Sequence, residues 1–177
     1  MYDLDREQVL YMSVNIRIMQ KGFFRQKKFT IEDLVKLSHL SFGVWDENYQ
    51  LIPNQIGNHT LLFNRKYLQR GIELYIQNHD ICLKLSLPTS MDEIQLFYNL
   101  AKTYCDFMQT HQFVKDDVLM NVKDMDLQMV YDKRTSAGAL RDLKENMKDA
   151  YFEIYGILHP ISIGKKELNY FNDDLDM

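Results

Sequence analysis

The sequence predicts an α+β fold: an antiparallel sheet, including a hairpin over 70–87, covered on one face by about three to four helices. Apolar and polar residues alternate over 10–18 and again over 70–87, whereas apolar residues recur every three or four positions in several other segments. An alternating strand buries one face, so a single helical layer is sufficient cover. We expect the strands at 14–18 and 70–87 to lie at the centre of the sheet.

Length and composition fit one domain over residues 1–177, with an acidic tail at about 172–177 that we expect to fray. The chain is 46% hydrophobic and 26% charged, which excludes the disordered and fibrous classes. Its two Cys are too few for a disulfide-rich secreted scaffold, which favours a reducing, cytoplasmic compartment. The N-terminus is acidic, unlike a signal peptide, and no apolar run approaches the ~18 residues of a membrane span.

The first half of the chain predicts one strand and one helix before an irregular stretch. Residues 10–18 read as a strand with one buried face. Thr30 precedes an apolar stripe and Asp33 follows three residues later, so we expect a capped helix near 30–39. Residues 41–58 contain Gly and Pro among scattered aromatic and polar residues, and we interpret them as irregular structure.

A hairpin with a two-residue turn at Asn78 and His79 is the most specific local prediction. In that register, each pair of facing residues has numbers that sum to 157. Apolar residues then face each other on one side, and Glu73 faces Lys84 on the other. The same register places Cys82 on the polar face, opposite Tyr75.

Three helices and an edge strand are predicted for the rest of the chain. Ser90 and Glu93 form a full capping box that opens a helix over about 90–111. Residues 113–134 fit both a helix and a strand, and we choose a helix. Ser136 is expected to open a last helix over 136–155 that stops at Gly156, followed by a short edge strand over 159–163.

The sequence excludes the enzyme classes that carry well-marked motifs. The seven glycines are too widely spaced for a Walker A loop or a dinucleotide fingerprint, both of which need close glycines around phosphates. There is no Gly-x-Ser-x-Gly, His-Glu-x-x-His or Cys-x-x-Cys sequence. The histidines are dispersed, and the acidic residues between 116 and 126 lack the spacing of a calcium loop. We therefore predict no cofactor and no metal, and the missing motifs argue against an enzyme.

One loop combines positive charge with aromatic rings and is the first candidate binding segment. Cations can hold phosphates while phenylalanine rings stack on unpaired bases, so one interpretation is single-stranded nucleic-acid binding. The alternative is a strand-to-helix connection whose Phe side chains turn inward, and the net charge of −4 favours that alternative. The candidate residues in this loop are Lys21, Phe23, Phe24, Arg25, Lys27 and Lys28.

A second alternative is an unrecognised small enzyme that uses Cys82 as a reactive thiol next to His79. The leading hypothesis is a non-catalytic cytosolic interaction or regulatory protein that associates with a protein partner or with itself as a homodimer. Trp45 and the two Phe of the loop are candidate contacts. Residues 1–70 carry a charge of +3 and residues 71–177 carry −7, so opposite patches of two copies could meet.

The order of these segments resembles a family of uncharacterised proteins from low-GC Gram-positive bacteria, the domain of unknown function 4299 family. The resemblance rests on the strand at 12–19, the Lys/Phe-rich turn, the helix start at 30–33, and the run from Arg70-Gly71-Ile72 to Leu87-Pro88-Thr89-Ser90. It covers roughly residues 12–110. It implies a mixed α/β chain in a bacterial cytosol, and it carries over no catalytic or binding residue.

Overall fold

A computed structural model describes residues 13–20, 27–64, 70–146, 152–155 and 160–164. These residues form ten strands and three α-helices, which confirms the α+β class. A single 3₁₀ turn, Val122–Asp124, precedes the last helix. In chain order, the elements are β1 Ser13–Ile18, α1 Ile31–Ser38, β2 Ser41–Trp45, β3 Leu51–Pro53, β4 His59–Phe63, β5 Ile72–Gln77, β6 Asp80–Ser86, α2 Met91–Met108, β7 Gln112–Lys115, β8 Val118–Asn121, α3 Met125–Asn146, β9 Phe152–Tyr155 and β10 Pro160–Ile163.

Eight of these strands form one antiparallel sheet in the order β3-β2-β4-β5-β6-β1-β7-β8. The strands predicted to be central, β1, β5 and β6, occupy the middle of this order. The β5–β6 hairpin has the predicted register, with Glu73 opposite Lys84 and Tyr75 opposite Cys82. Asn78 and His79 both have positive φ, as a two-residue hairpin turn requires.

The main core joins the apolar face of the three central strands to helices α1 and α2. Pairing of β1 with β6 sets Val14 beside Leu85 and Ile16 beside Leu83, and all four side chains are buried. Helix α2 contacts both β1 and β6, and it also packs against α3. The Tyr104 hydroxyl in α2 donates to the Leu34 carbonyl of α1 at 2.9 Å, so the two helices are also joined by a buried hydrogen bond.

The two predicted helix starts differ in detail. Thr30 and Asp33 form a complete capping box at α1, because each side chain bonds the other residue's backbone N–H. At α2 the Ser90 hydroxyl accepts from the Glu93 N–H at 3.1 Å, as predicted. The Glu93 carboxylate instead accepts from the backbone N–H groups of Arg70 and Gly71. The full capping box predicted there is therefore wrong in one respect, because Glu93 does not bond back to the Ser90 N–H.

Three predicted segments are wrong. Residues 41–58 are not irregular throughout, since β2 and β3 lie within them. Gly43 is part of β2 and not of a loop, and a Cβ at this position would stand too close, 2.6 Å, to the Ile52 carbonyl oxygen of β3. Residues 113–134 are not one helix, because the hairpin β7–β8 precedes α3. Ser136 does not open a helix; it lies inside α3, buried against Thr89, and the described part of α3 runs to Asn146.

The chain's C-terminal part adds a separate antiparallel pair, β9 with β10. The strand predicted at 159–163 is confirmed as β10, whereas the predicted helix over 136–155 is replaced at its end by β9. Gly156, the tail at 172–177 and the start of the predicted first strand lie outside the described residues.

Candidate functional site

A cleft of about 410 Å³ lies over strands β2, β4, β5 and β6. The register of the central hairpin explains part of its lining, because Glu73 and Lys84 face each other on the side opposite the apolar pairs. Side chains from β2, β4 and the segment before β5 complete it. The residues that give it chemical character are Trp45, Tyr49, His59, Arg70, Glu73 and Lys84.

Glu73 is the acidic centre of the cleft wall. His59 Nδ1 is hydrogen-bonded to Glu73 Oε1, and Lys84 Nζ lies 3.9 Å from Glu73 Oε2. The His59 ring stacks on the ring of Tyr75, with centroids 4.7 Å apart. One carboxylate is therefore shared between an imidazole and an ammonium group, and His59 is held in a fixed plane.

Arg70 lies just before β5 and is the most buried cation of the cleft. One of its terminal nitrogens, Nη1, donates to the carbonyls of Leu87 at 3.1 Å and Pro88 at 3.4 Å. Its Nε is buried and has no hydrogen-bond partner among the residues that the structure describes. Burial lowers the pKa of Arg70, and the nearby charge of Glu93 opposes that shift.

Glu93 is a fully buried carboxylate that joins the start of α2 to the start of β5. Its oxygens accept from the backbone N–H of Arg70 at 3.0 Å and of Gly71 at 2.8 Å, and Thr89 Oγ1 donates to it as well. Burial raises the pKa of Glu93, and these hydrogen bonds oppose the rise. The Ser136 hydroxyl of α3 donates to the Thr89 carbonyl at 2.7 Å, so this network also reaches the third helix.

A second buried polar network connects β7 to helices α2 and α3. Lys115 Nζ lies 2.8 Å from Asp132 Oδ1, and the Tyr98 hydroxyl donates to Asp132 Oδ2 at 2.5 Å. All three side chains are buried. Burial, together with the bond to Asp132, raises the pKa of Tyr98, so the phenol stays protonated and serves as a donor.

The basic and aromatic loop is described only at its end. Lys21, Phe23, Phe24 and Arg25 lie outside the described residues. Lys27 is exposed, but its ammonium lies 3.3 Å from the centroid of the Phe107 ring and donates to the Phe107 carbonyl at 2.8 Å. Lys28 is exposed. The contact of Lys27 with α2 agrees with a structural connection, and the binding role of the loop stays a prediction.

Cys82 faces Tyr75 across the hairpin, as predicted, but its environment does not activate the thiol. The residue is 3% exposed, and burial raises the pKa of Cys82, which opposes formation of the thiolate. His79 lies in the turn at the end of the hairpin. Within the described residues, no group of three or more His, Cys, Asp or Glu side chains is arranged to hold a metal ion. Asp116 and Asp117 form the turn between β7 and β8.

An exposed apolar surface lies at the opposite end of the sheet from β3. Its exposed apolar side chains come from the edge strand β8 and from α3, and we call this group of residues the β8–α3 surface. More than half of each β8 side chain in this group is exposed, as are two of the three from α3. Its residues are Val118, Leu119, Leu127, Val130 and Tyr131.

Trp45 was predicted from the sequence as a candidate contact and lines the cleft, whereas neither the cleft nor the β8–α3 surface was predicted. The pairing of Glu73 with Lys84 was predicted, and it was the available signal for the cleft. Arg70 was visible only as part of a family-like run, because its surroundings come from the end of β6 and the start of α2.

Comparison with known proteins identifies one family. A family model described as "Domain of unknown function (DUF4299)" matches residues 13–177. No curated protein and no solved structure matches the chain. Among the helices that the structure describes, none combines the length and apolar composition needed to cross a membrane.

Proposed function

The chain belongs to the DUF4299 family, and from that premise we propose that it is a non-catalytic interaction protein whose β8–α3 surface binds a second copy of the chain. The observation that supports this proposal is the exposure of Val118 at 55% and Leu119 at 56% on an edge strand. An apolar edge strand with open backbone groups is a template for pairing with another strand.

The two edges of the eight-stranded sheet differ in how they are protected. At one edge β3 is three residues long and ends at Pro53, two features that limit pairing with another strand. At the other edge β8 has the sequence Val-Leu-Met-Asn, with no proline and no charge. Only β7 pairs with β8 in the described part of the chain. This difference supports β8 as the edge that another chain covers.

A second copy suits this surface because antiparallel strands can be related by a two-fold axis. Pairing of β8 with its own copy brings the start of one strand near the end of the other. Asp116 and Asp117 precede β8, and Lys123 and Asp124 follow it. The dimer would therefore bring Lys123 of each copy towards the two aspartates that precede β8 in the other. Leu127 and Tyr131 of α3, both more than 60% exposed, would add apolar area beside the paired strands.

Two finer structural points belong to the same proposal. We place the helices on one face of the sheet, since the alternating burial of β1 leaves Asn15 and Arg17 on its other, exposed side. We also retain the bacterial cytosolic setting that the family resemblance implied, which agrees with Cys82 and Cys105 being free thiols.

Size-exclusion chromatography with light scattering, over a wide range of concentrations, tests the proposal. We expect a mass near twice 21.2 kDa that falls towards the monomer on dilution. Leu119→Lys places two like charges close to the two-fold axis and should shift the protein to monomer. Ile52→Lys, on the exposed part of the other edge strand, is the matched control and should leave the dimer intact.

Three results would contradict the proposal. The first is a monomer at every concentration, and the second is a dimer that Leu119→Lys does not weaken. The third is a dimer broken by Ile52→Lys as strongly as by Leu119→Lys, which would move the interface to the β3 edge.

A further inference from the structure

We propose that the cleft over β2, β4, β5 and β6 binds a small organic anion, in which a carboxylate or phosphate group is attached to a flat apolar ring. This inference is independent of self-association, because β1 and β7 separate the cleft strands from β8 in the sheet order. Its volume of about 410 Å³ falls within the range of small-molecule sites.

Arg70 is the anchor for the anionic group. Its Nη1 is occupied by the carbonyls of Leu87 and Pro88, which fixes the plane of the guanidinium. The other edge of the guanidinium carries Nε and Nη2, the pair of parallel donors that matches two oxygens of a carboxylate or phosphate. Nε is buried without a partner in the described residues, so an incoming oxygen would satisfy a donor that is already desolvated.

The charge balance of the cleft also favours an anion. Among the lining side chains, Arg70 and Lys84 contribute two positive charges and Glu73 one negative charge. The Glu93 carboxylate also lies near Arg70, but its oxygens already accept from the two backbone N–H groups that precede β5. Glu73 is already hydrogen-bonded to His59 and lies 3.9 Å from Lys84 Nζ, so it holds these groups on the wall. Lys84 is 43% exposed at its side chain, and within the described residues its ammonium is held only by the 3.9 Å contact with Glu73, so it can turn towards a bound anion.

Trp45 and Tyr49 provide the flat apolar part of the cleft. Trp45 is half-buried and packs with Leu61 and Phe63 in a small apolar cluster, so its ring has a fixed position. Tyr49 is 65% exposed. A ring that enters the cleft would cover part of both side chains, which explains why the proposed ligand includes a ring as well as an anionic group.

Trp45 is the single tryptophan of the chain, so its fluorescence reports on the cleft directly. The probes are benzoate, phenyl phosphate and the neutral benzyl alcohol, each also titrated by calorimetry. We expect saturable binding of at least one anion, with the alcohol at least about tenfold weaker because it cannot accept two charge-assisted hydrogen bonds. The ratio of the two anion affinities then identifies carboxylate or phosphate as the preferred group.

Arg70→Lys keeps the charge but removes the parallel pair of donors, so we expect affinity for the anion to fall by about tenfold or more. Because that change also removes the bonds to Leu87 and Pro88, Tyr49→Ala is a second variant at an exposed position, with an expected loss of about threefold. Lys36→Gln, an exposed lysine on α1, is the control and should bind as the unaltered protein does. Thermal melting followed by circular dichroism verifies that each variant is folded.

The proposal is overturned if neither anion produces heat or a fluorescence change. It is equally overturned if benzyl alcohol binds as tightly as the anions, or if folded Arg70→Lys and Tyr49→Ala both bind with unchanged affinity.

Discussion

Two of the β-hairpins in this protein, β5–β6 and β7–β8, have similar turns and different environments. Asn78 and His79 have φ values of 51° and 67°, and Asp116 and Asp117 have φ values of 45° and 67°. Both turns have two residues with positive φ and no glycine. The first hairpin, β5–β6, lies in the middle of the sheet, whereas the second, β7–β8, forms its edge.

The β5–β6 hairpin was predicted from the sequence, and the β7–β8 hairpin was missed. Alternation is visible only where one face of a strand is buried and the other is not. In β5 the buried residues Ile72 and Leu74 are separated by the less buried Glu73. In β8 no residue is buried, and Val118 and Leu119 are adjacent and both exposed, so no alternation exists. The two turns therefore have similar backbone conformations, but only the central hairpin has the alternating sequence that predicts its strands.

The largest effect is expected where the edge hairpin meets the core, at Lys115 of β7. Asp132→Ala leaves the buried Lys115 ammonium without its counter-ion and should lower the free energy of unfolding by about 3–5 kcal/mol. Urea denaturation measures the change. The double variant Lys115→Met with Asp132→Leu should recover part of the loss, because it removes both charges but leaves the buried Tyr98 hydroxyl without its acceptor. Equal losses in the single and double variants would show that packing, not the unpaired charge, is responsible.

A smaller effect on the free energy of unfolding is expected when one leucine of each hairpin is replaced by alanine. Leu83→Ala in β6 removes a side chain that is 1% exposed and should cost about 2–5 kcal/mol of unfolding free energy. Leu119→Ala in β8, at 56% exposure, should change it by about 0.5 kcal/mol or less in the monomer. Both are measured by urea denaturation at concentrations where the chain is monomeric. Similar values for the two variants would contradict the difference between centre and edge.

The smallest effect should be the same in both hairpins, because it is local to the turn. His79→Gly and Asp117→Gly each remove the strain of a non-glycine residue at positive φ and should raise the free energy of unfolding by about 1 kcal/mol. Asp116→Gly is the control and should gain less, because the Asp116 carboxylate accepts from the Asn15 N–H at 3.0 Å. Thermal melting provides the measurement, and a gain at only one of the two turns would show that environment matters even there.

The elements that could be predicted are those specified by residues close to each other in the sequence. The register of β5–β6 followed from its sequence because apolar and charged pairs both specify it. Helix α1 followed from its capping residues and ends at Ser38, close to the expected position. Strands β2 and β3 were not predictable, because Gly43 resembles a loop residue until the close approach of β3 is known.

The candidate sites were less predictable, because they depend on contacts between distant segments. Trp45 lies on β2 and Lys84 on β6, far apart in the sequence. They line the same cleft because the sheet order brings β2 and β6 together with β4 and β5 between them. Asp33 and Glu93 occupy equivalent places after a capping residue, yet only Asp33 bonds back to its own helix start. Nothing local distinguishes them, since the choice depends on whether unpaired backbone N–H groups from another segment lie nearby.

The contact of Glu93 has a consequence for how this protein can be observed. The amides of Arg70 and Gly71 precede β5, and each donates to a carboxylate oxygen of α2 instead of to a neighbouring strand. Slow hydrogen–deuterium exchange at these two amides would thus resemble an extension of the sheet. Because both amides are protected by the Glu93 carboxylate of α2, their exchange rate measures how often α2 separates from the start of β5.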